Sequence, residues 1–502
     1  MTVGLTDSRT VGLCLLAVLA YQSDGPTVRR SDQGRPWRPD ERSMITDFSY
    51  VRALAASPDW LFAATTHGLV IYDRRRRAWQ PPVTVLDGYP QQPVRGAIAE
   101  PGGNAVYLAL DLGYARYDLI TRQWDRVAGA PPPPPGAALS VESALNEAPA
   151  AQAFRALMLT DARLRPHHFT AAARTPDQPD LYLGTDGMGV LRVDPMTGQS
   201  EPLTYGLLAP GAGAVAAGPG GVWVATDARP VGAGGDRSGF TWVSEDLSAT
   251  TTSEGGGAAL GFTFLQGRRL VARGSTLWLA TERGLYAVDN GSYRSREYDV
   301  GRGLPSEDVT SVAPAPDGVW VGTSRGLAVV GGDGKATAIG SRGVVVLSLL
   351  AVGDSLWVGT TTGLALLAPG ARDLVAAPAP PSLHVPIYGI ARVGTTLVVL
   401  TGDRLAWQTP APDPRNPTPG WNLTPLPPQL GRPTALAADS GGVWLGGTTG
   451  LAWVDARTGA ARVLTMPWDV PAAVRDVVVD RSMLWVATDS GLVRFDRDAA
   501  RR

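Results

Sequence analysis

The stretch Leu356-Trp357-Val358-Gly359-Thr360-Thr361-Thr362-Gly363-Leu364 decides the fold, because it recurs along the chain. It reads as an aromatic inside an apolar triplet, then small residues and Thr, two variable positions, and Gly-Leu. Close copies run from Val319 to Leu327, Leu277 to Leu285, Val443 to Leu451 and Leu484 to Leu492; more degenerate ones centre on Phe62, Tyr107, Tyr182, Trp223 and Val398. The anchor positions 62, 107, 182, 223, 278, 320, 357, 398, 444 and 485 mostly stand 37 to 46 residues apart, with one gap of 55 and one of 75. Self-similarity at such a period marks a repeat architecture.

Each copy carries the pattern of a β-meander. Val309-Thr310-Ser311-Val312 meets a turn at Pro316-Asp317-Gly318, followed by Val319 to Thr323, a short turn at Ser324-Arg325-Gly326, and Leu327 to Val330. β-Branched and aromatic period-2 runs bounded by Asp, Gly and Pro read as strands and tight turns. A fourth strand is expected where copies continue past a further turn, as at Pro202-Leu203-Thr204 after Thr197-Gly198. Four strands per repeat at a period of about 42 point to the blades of a β-propeller. Composition agrees: the 502 residues include Gly 60 and Pro 42 with only 18% charged, which favours turns over long surface helices.

Scaffold roles follow for the repeated residues. The Trp anchors Trp223, Trp278, Trp320, Trp357, Trp444 and Trp485 are expected between adjacent blades, since one such ring buries about 150–250 Å². The Gly after the variable pair, as at Gly326 and Gly363, is expected to supply a positive φ or a close backbone approach.

Leu304-Pro305, Val309 to Val312, Asp317-Gly318-Val319-Trp320-Val321-Gly322-Thr323 and Gly326-Leu327 resemble the two-component-regulator propeller repeat, familiar from the periplasmic sensor part of hybrid histidine kinases. The resemblance runs from about Phe48 to Phe495 and implies a fold rather than a ligand. No kinase or receiver region accompanies these repeats, so a sensing role is expected to act through a separate membrane kinase. Gly239-Phe240-Thr241-Trp242 resembles the end of the Asp-box hairpin of sialidase-like propellers, although Arg237 replaces its Asp. Streptogramin-lyase-like propellers are a further relative to weigh, but no catalytic His falls in an equivalent repeat.

Ring closure is expected to involve the N-terminus. After Phe495-Asp496 only Arg497 to Arg502 remain, too few for a good fourth strand, whereas Arg35 to Thr46 is long enough to supply one. The expected architecture is all-β: about ten four-stranded blades in one ring closed by an N-terminal strand, with two smaller propellers as the alternative. The chain divides into a signal peptide or short anchor (1–20), a closing segment (21–47), two blades (48–130), a Pro-rich and Ala-rich insertion (131–165) and eight blades (166–502). Within the insertion a helix is expected after Pro149, where Ala150, Phe154, Leu157 and Met158 fall at helical spacing.

The first twenty residues set the expected compartment. Arg9 precedes an apolar run from Val11 to Ala20, too short to span a bilayer, and Val18-Leu19-Ala20 fits a small-residue cleavage site. Export to the periplasm or the outer face of a membrane is expected, with retention as a membrane-edge anchor or lipidation at Cys14 as alternatives. Cys14 is the one cysteine, so no disulfide framework or multi-Cys metal site exists. The balance of 45 basic against 46 acidic residues argues against bulk nucleic-acid binding.

Signatures of catalysis are absent from the sequence: there is no Gly-x-Ser-x-Gly, phosphate loop, paired-His zinc motif or EF-hand loop. No enzyme activity, cofactor or metal is expected. His167-His168 is the only His pair, read as an exposed segment before a strand at Phe169, where adjacent side chains diverge. What remains is geometry: the loops between second and third strands open on one face and form a ring of polar turn residues. Its members are His67, Asp186, Glu282, Arg283, Ser324, Arg325, Thr361, Thr362, Thr448, Thr449, Asp489 and Ser490. Arg74, Arg75, Arg76 and Arg77 form a second candidate, a basic tip for an acidic partner or lipid phosphates. The expected partner is another protein, the chain acting as a scaffold or stabilising subunit of an envelope or membrane complex. A ligand sensor and a lyase or glycoside-acting enzyme are the alternatives, with carbohydrate or a small molecule as ligand.

Overall fold

The computed structural model describes residues 37–132, 140–146, 158–161, 163, 165–174, 180–226, 237–255, 267–340, 343–409 and 420–502. The expected export signal at 1–20 lies outside them, as does most of the insertion. Among the described residues no helix is long and apolar enough to cross a membrane.

The strands group into ten antiparallel sheets. Sheet 1 begins with Val51–Ala56, sheet 2 with Gly96–Ala99 and sheet 3 with Met158–Thr160 and Pro166–Arg174. Sheets 4 to 10 begin with Ala212–Gly218, Gly267–Arg273, Val309–Ala315, Val346–Val352, Gly389–Val393, Pro433–Asp439 and Val474–Asp480. Most carry four strands in sequence order, the meander that the repeat predicts. Sheet 10 draws its outermost strand from the other end of the chain: β1 (Arg42–Ile45) pairs antiparallel with Gly491–Asp496, Arg42 opposite Phe495 and Ile45 opposite Leu492. The C-terminal residues make a helical turn, α2 (Arg497–Arg501), whose Arg497 and Arg501 both reach Asp439 of sheet 9. The tail thus ties sheets 9 and 10 together.

The expectation of one ten-sheet ring needs correction. The first strands of sheets 4, 5, 6, 7, 8, 9 and 10 pack on one another in succession, and that of sheet 10 packs back on sheet 4. Seven sheets therefore form a closed circuit. The closing joint is sealed by Asp476 of sheet 10, whose carboxylate accepts the Val215 N–H of sheet 4 at 3.1 Å. Sheets 1 to 3 form a separate arc, with sheet 1 packed between sheet 3 and sheet 2. The arc sits against the ring through Phe48, Tyr205 and Trp79, stacked in series at 5.9 and 5.0 Å, and through Tyr205 Oη, which donates to the Leu247 carbonyl at 2.6 Å.

Both ends of the arc are finished. The face of sheet 3 away from sheet 1 is covered by a short helix (Val141–Asn146), with Ala144 and Leu145 buried against Leu181, Leu183 and Leu191. This helix precedes Pro149, where none was expected; Ser140 accepts the Ser143 N–H at 3.0 Å and starts it. The expected helix after Pro149 falls mostly outside the described residues, and Met158 opens a strand. On sheet 2 the end is polar: Arg116 lies over the Tyr107 ring and reaches Glu100, Asp118 and Asp125.

Each Trp anchor packs toward the following sheet. Trp223 shares a hydrophobic cluster with Leu270 and Leu279, Trp278 with Val312, Trp320 with Val346, Trp357 with Ile390, Trp444 with Val474, and Trp485 with Ala212 of sheet 4 across the joint. Trp444 and Trp485 are wholly buried, whereas Trp320 and Trp357 are half-buried. Trp444→Ala and Trp485→Ala should each cost about 3–5 kcal/mol in urea denaturation and Trp320→Ala clearly less; equal costs would contradict this packing order. Deleting residues 1–47 removes β1 and bares Leu492 and Phe495. A sharp fall in melting temperature is expected, and an unchanged melt would rule out closure by this strand.

Candidate functional site

The repeated Thr builds the turn between second and third strands, a role that the repeat pattern alone does not assign. Thr281, Thr323, Thr360 and Thr488 are buried, and each hydroxyl donates to the carbonyl of the Gly three residues on, at 2.7–2.9 Å. Those glycines need their freedom: Gly326 and Gly363 have φ of 149° and 136°, and a Cβ on Gly363 would stand 3.0 Å from the Leu383 carbonyl oxygen.

The turn is also pinned to the connector that enters the first strand of its own sheet. Ser324, Thr361, Thr448 and Asp489 donate their backbone N–H to the carbonyls of Asp308, Val345, Arg432 and Ala473 at 3.0–3.3 Å. Thr66 and Asp186 do the same to Tyr50 and His168 in the arc. Turns and connectors therefore share one end of each sheet. For the ring, this turn face gathers Glu282, Arg283, Ser324, Arg325, Thr361, Thr362, Thr448, Thr449, Asp489 and Ser490, while His67 and Asp186 belong to the arc.

A regular distortion, missed in the sequence, shapes the ring mouth. Eight first strands shift register at their second paired position, leaving Arg52, Thr170, Gly213, Arg268, Thr310, Leu347, Thr434 and Arg475 as bulge residues. A bulge re-aims a side chain. Thr310 and Thr434 thereby donate to the Val346 and Val474 carbonyls of the next sheet, at 2.6 and 2.7 Å. Arg268 pairs with Asp308, and Arg475 Nε meets Asp489 Oδ1 at 2.6 Å. Deeper in the ring, Arg269 of sheet 5 reaches past sheet 4 to Asp476 of sheet 10 at 2.7 Å. Burial pushes the Asp476 carboxyl above the ordinary range against the pull of Arg269 and of the Val215 and Val477 N–H groups.

Connectors contribute what the turns lack. Val300, Val385, Tyr388, Met466 and Trp468, all in connectors on the turn face, are exposed by 37–54%. Ile387 N–H donates to the Thr360 carbonyl and Met466 N–H to that of Thr449, so these apolar residues sit directly beside the polar turns. The signal in the sequence was apolar residues inside Pro-containing loops, as in Val385-Pro386-Ile387-Tyr388 and Met466-Pro467-Trp468.

The opposite end is built differently. Asp194, Asp289 and Asp455 each use Oδ1 to accept N–H groups two and three residues on, closing the turn between third and fourth strands. Those bonds hold the three carboxyls below the ordinary range, led by the backbone N–H groups of Met196, Ser292 and Thr458. These three acids are committed to their own turns.

Other candidates fall outside the ring mouth. Arg74 turns inward, over the Tyr182 ring, with bonds to Tyr182 Oη and the Ser57 and Pro58 carbonyls; Arg75 pairs with Asp59, and Arg76 with Asp73. Arg77 takes φ 54° in the turn, leaving a structural tip rather than four free cations. His67 Nδ1 lies 2.9 Å from the Asp47 carbonyl. His167 and His168 lie within a strand rather than before one. Both rings nevertheless approach Asp186: His168 Nδ1 is 3.1 Å from it, and buried His167 lies between Asp186 and Asp161 at 3.8 and 3.3 Å. Asp161 also accepts Arg165, which makes two 2.8 Å bonds to Glu254 of sheet 4. The pair thus belongs to the seam between arc and ring.

No family model and no curated protein matches the chain. Several solved structures are similar to it. The extracellular domain of the hybrid two-component system BT4673 from B. thetaiotaomicron is 14% identical over 89% of this chain and 70% of that one, with a TM-score of 0.41. Virginiamycin B lyase from Staphylococcus aureus is 15% identical over 57% of this chain and 94% of that one, TM-score 0.45. The WD40 β-propeller domain of Doa1 is 12% identical over 57% and 92%, TM-score 0.43.

Asp476 gives a pH test of the ring. A carboxyl raised in the folded state adds stability below its unfolded pKa of about 3.9 that is lost as pH rises through the folded value. Asp476→Asn removes that titration. Urea midpoints should fall for the wild type relative to the variant as pH rises above about 4; parallel curves would contradict the assignment.

Proposed function

We propose that this chain is a non-catalytic binding propeller whose ring receives another protein on its turn face. The observation that carries this reading is the asymmetry between the two ends of the ring. At one end Asp289 and Asp455 are closed into their own turns; the other sets exposed Val300, Val385, Tyr388, Met466 and Trp468 among Arg283, Arg325 and Arg432. Aromatic residues, Met and Arg are the types that concentrate binding energy at protein interfaces. A scaffold or stabilising role in an envelope or membrane-bound complex fits a face of this kind, and the short apolar run at 11–20 supports export.

A second reading is ligand sensing outside the cell, with a separate membrane kinase as output. Its support is the shared fold with the extracellular domain of the hybrid two-component system BT4673. A ligand entering the ring would meet the Arg269–Asp476 pair that spans it, so binding should compete with that pair. A lyase reading finds less support: His67, His167 and His168 lie in the arc, tied to Asp47, Asp161 and Asp186, and His384 alone of the four histidines stands in a ring connector.

The test is site-specific photocrosslinking of the full chain in its native cells. A crosslinker at Tyr388 or Trp468 should capture one stoichiometric partner, and one at Ile120 or Met196, exposed in turns at the other end of arc sheets, should not. A lone monomer giving no adduct from the turn face would overturn the protein-docking reading. A thermal shift with a small molecule, lost in Arg269→Gln, would favour sensing.

A further inference from the structure

Charge distinguishes the kinds of partner that this face would accept. The turn face carries many acidic residues, yet its own structure uses most of them. Asp308 pairs with Arg268, Asp489 with Arg475 and Asp403 with Arg404; Asp299 accepts the Arg302 N–H at 2.9 Å, and Asp469 takes the Trp37 indole and the Thr465 N–H. Glu282 is likewise engaged. Among the described residues the guanidinium groups of Arg283, Arg325 and Arg432 have no ion pair or hydrogen bond, and all three residues are exposed. Glu307 is the one exposed acid of the connector that precedes sheet 6. A net charge of −1 over the whole chain thus hides a face with spare positive charge.

The spare cations and the apolar residues are held on the same backbone. Arg432 donates its N–H to Thr448 Oγ1 at 3.1 Å, Thr448 returns its N–H to the Arg432 carbonyl, and Met466 donates to Thr449. Arg432 therefore stands one turn from Met466 and Trp468. Val300 and Arg325 are linked through Ser306 and Ser324, whose hydroxyls lie 3.0 Å apart, because Val300 and Ser306 share the connector. A guanidinium with no internal partner has no ion pair to break when a carboxylate arrives, and the two can form a charge-assisted hydrogen bond. Guanidinium beside an aromatic or aliphatic side chain suits a chain that alternates acids with apolar residues.

We propose that the partner docks through an acidic segment, its Asp and Glu side chains meeting Arg283, Arg325 and Arg432 and its apolar residues covering Tyr388 and Trp468. The proposal rests on the protein-docking reading above and adds the partner's chemistry. A lipid surface is the less favoured source of negative charge. The apolar residues are only half exposed and spread around a ring mouth, rather than gathered on a protruding loop or amphipathic helix that would enter a bilayer.

The test uses the full chain and a fluorescent synthetic peptide in which Glu and Asp alternate with Leu and Phe, with a Lys-for-acid counterpart. Anisotropy should show binding of the acidic peptide alone, weakening about tenfold or more between low and physiological salt. Arg325→Gln with Arg432→Gln should weaken it by about tenfold, as should Tyr388→Ser with Trp468→Ser, while Arg75→Gln in the arc leaves it unchanged. Melting curves confirm that each variant is folded. Equal binding of both peptides, or indifference to the paired Arg changes, overturns the proposal. So does Arg-dependent binding to phosphatidylglycerol vesicles or duplex DNA that matches or exceeds peptide binding. The two readings fail separately: a partner crosslinked at Trp468 whose capture ignores salt and the Arg changes leaves docking intact and removes the acidic segment.

Discussion

Four residues hold the ring shut. A circuit of meanders has a loose end wherever the chain starts and stops, and the backbone groups of that last edge must be paired. Here β1 supplies the partner: Met44 and Ile45 are buried, and their ladder to Leu492 and Val493 makes the start and finish of the chain one sheet. The same segment goes on to do a second job. Arg42 is almost wholly buried and donates to the Trp468 and Leu86 carbonyls at 2.7 Å, joining a connector of the ring to a connector of the arc. Burial lowers its pKa, while Asp87 and Asp469 act in the other direction. Closing the ring and fixing the arc are therefore a single event, and two further residues on, Asp47 bridges Gly206 at the seam.

Scaffold residues were legible because their job is local. A period-2 apolar run, a buried Thr and a Gly at positive φ have to recur wherever the same hairpin recurs, and ten copies made the blade visible without coordinates. Ring membership was not legible. Whether sheet 3 lies beside sheet 4 or sheet 1 depends on Thr170 reaching the Val51 carbonyl at 2.8 Å, a contact 119 residues apart in sequence that uses the same residue type as the contacts between consecutive sheets. The helix Val141–Asn146 was not legible for a related reason: spacing drew attention to residues after Pro149, whereas a Ser cap and the bare face of sheet 3 support this earlier one.

The site divides along the same line. Turn residues could be named because they fill fixed slots between Thr and Gly, and the ring gathers those of sheets 5, 6, 7, 9 and 10 on one face. Their chemistry could not, since whether Asp489 or Arg325 is available depends on a neighbour such as Arg475, and no slot rule reports that. The tetra-arginine tip shows the converse: dense charge in sequence, but Arg74 spent on Tyr182 and two backbone carbonyls, Arg75 on Asp59.

The arc repeats the logic of the ring with its middle removed. In the ring, a bulged Thr always bonds to the sheet that follows: Thr310 to sheet 7, Thr434 to sheet 10. By that rule sheet 3 is followed by sheet 1, and sheet 1 packs on to sheet 2, so the last sheet of the arc meets the first as it would in a closed propeller. The circular order is kept, and the 75-residue spacing between anchors 107 and 182 falls in the sequence between sheets 2 and 3. Stability then demands what solenoids demand of their ends, a finished outer surface. A helix on sheet 3 and the Arg116 carboxylate cluster on sheet 2 provide it by opposite means, one by burying leucine and the other by replacing the next sheet with a cation over Tyr107. The Trp position of the repeat thus becomes an end cap once its neighbour is gone.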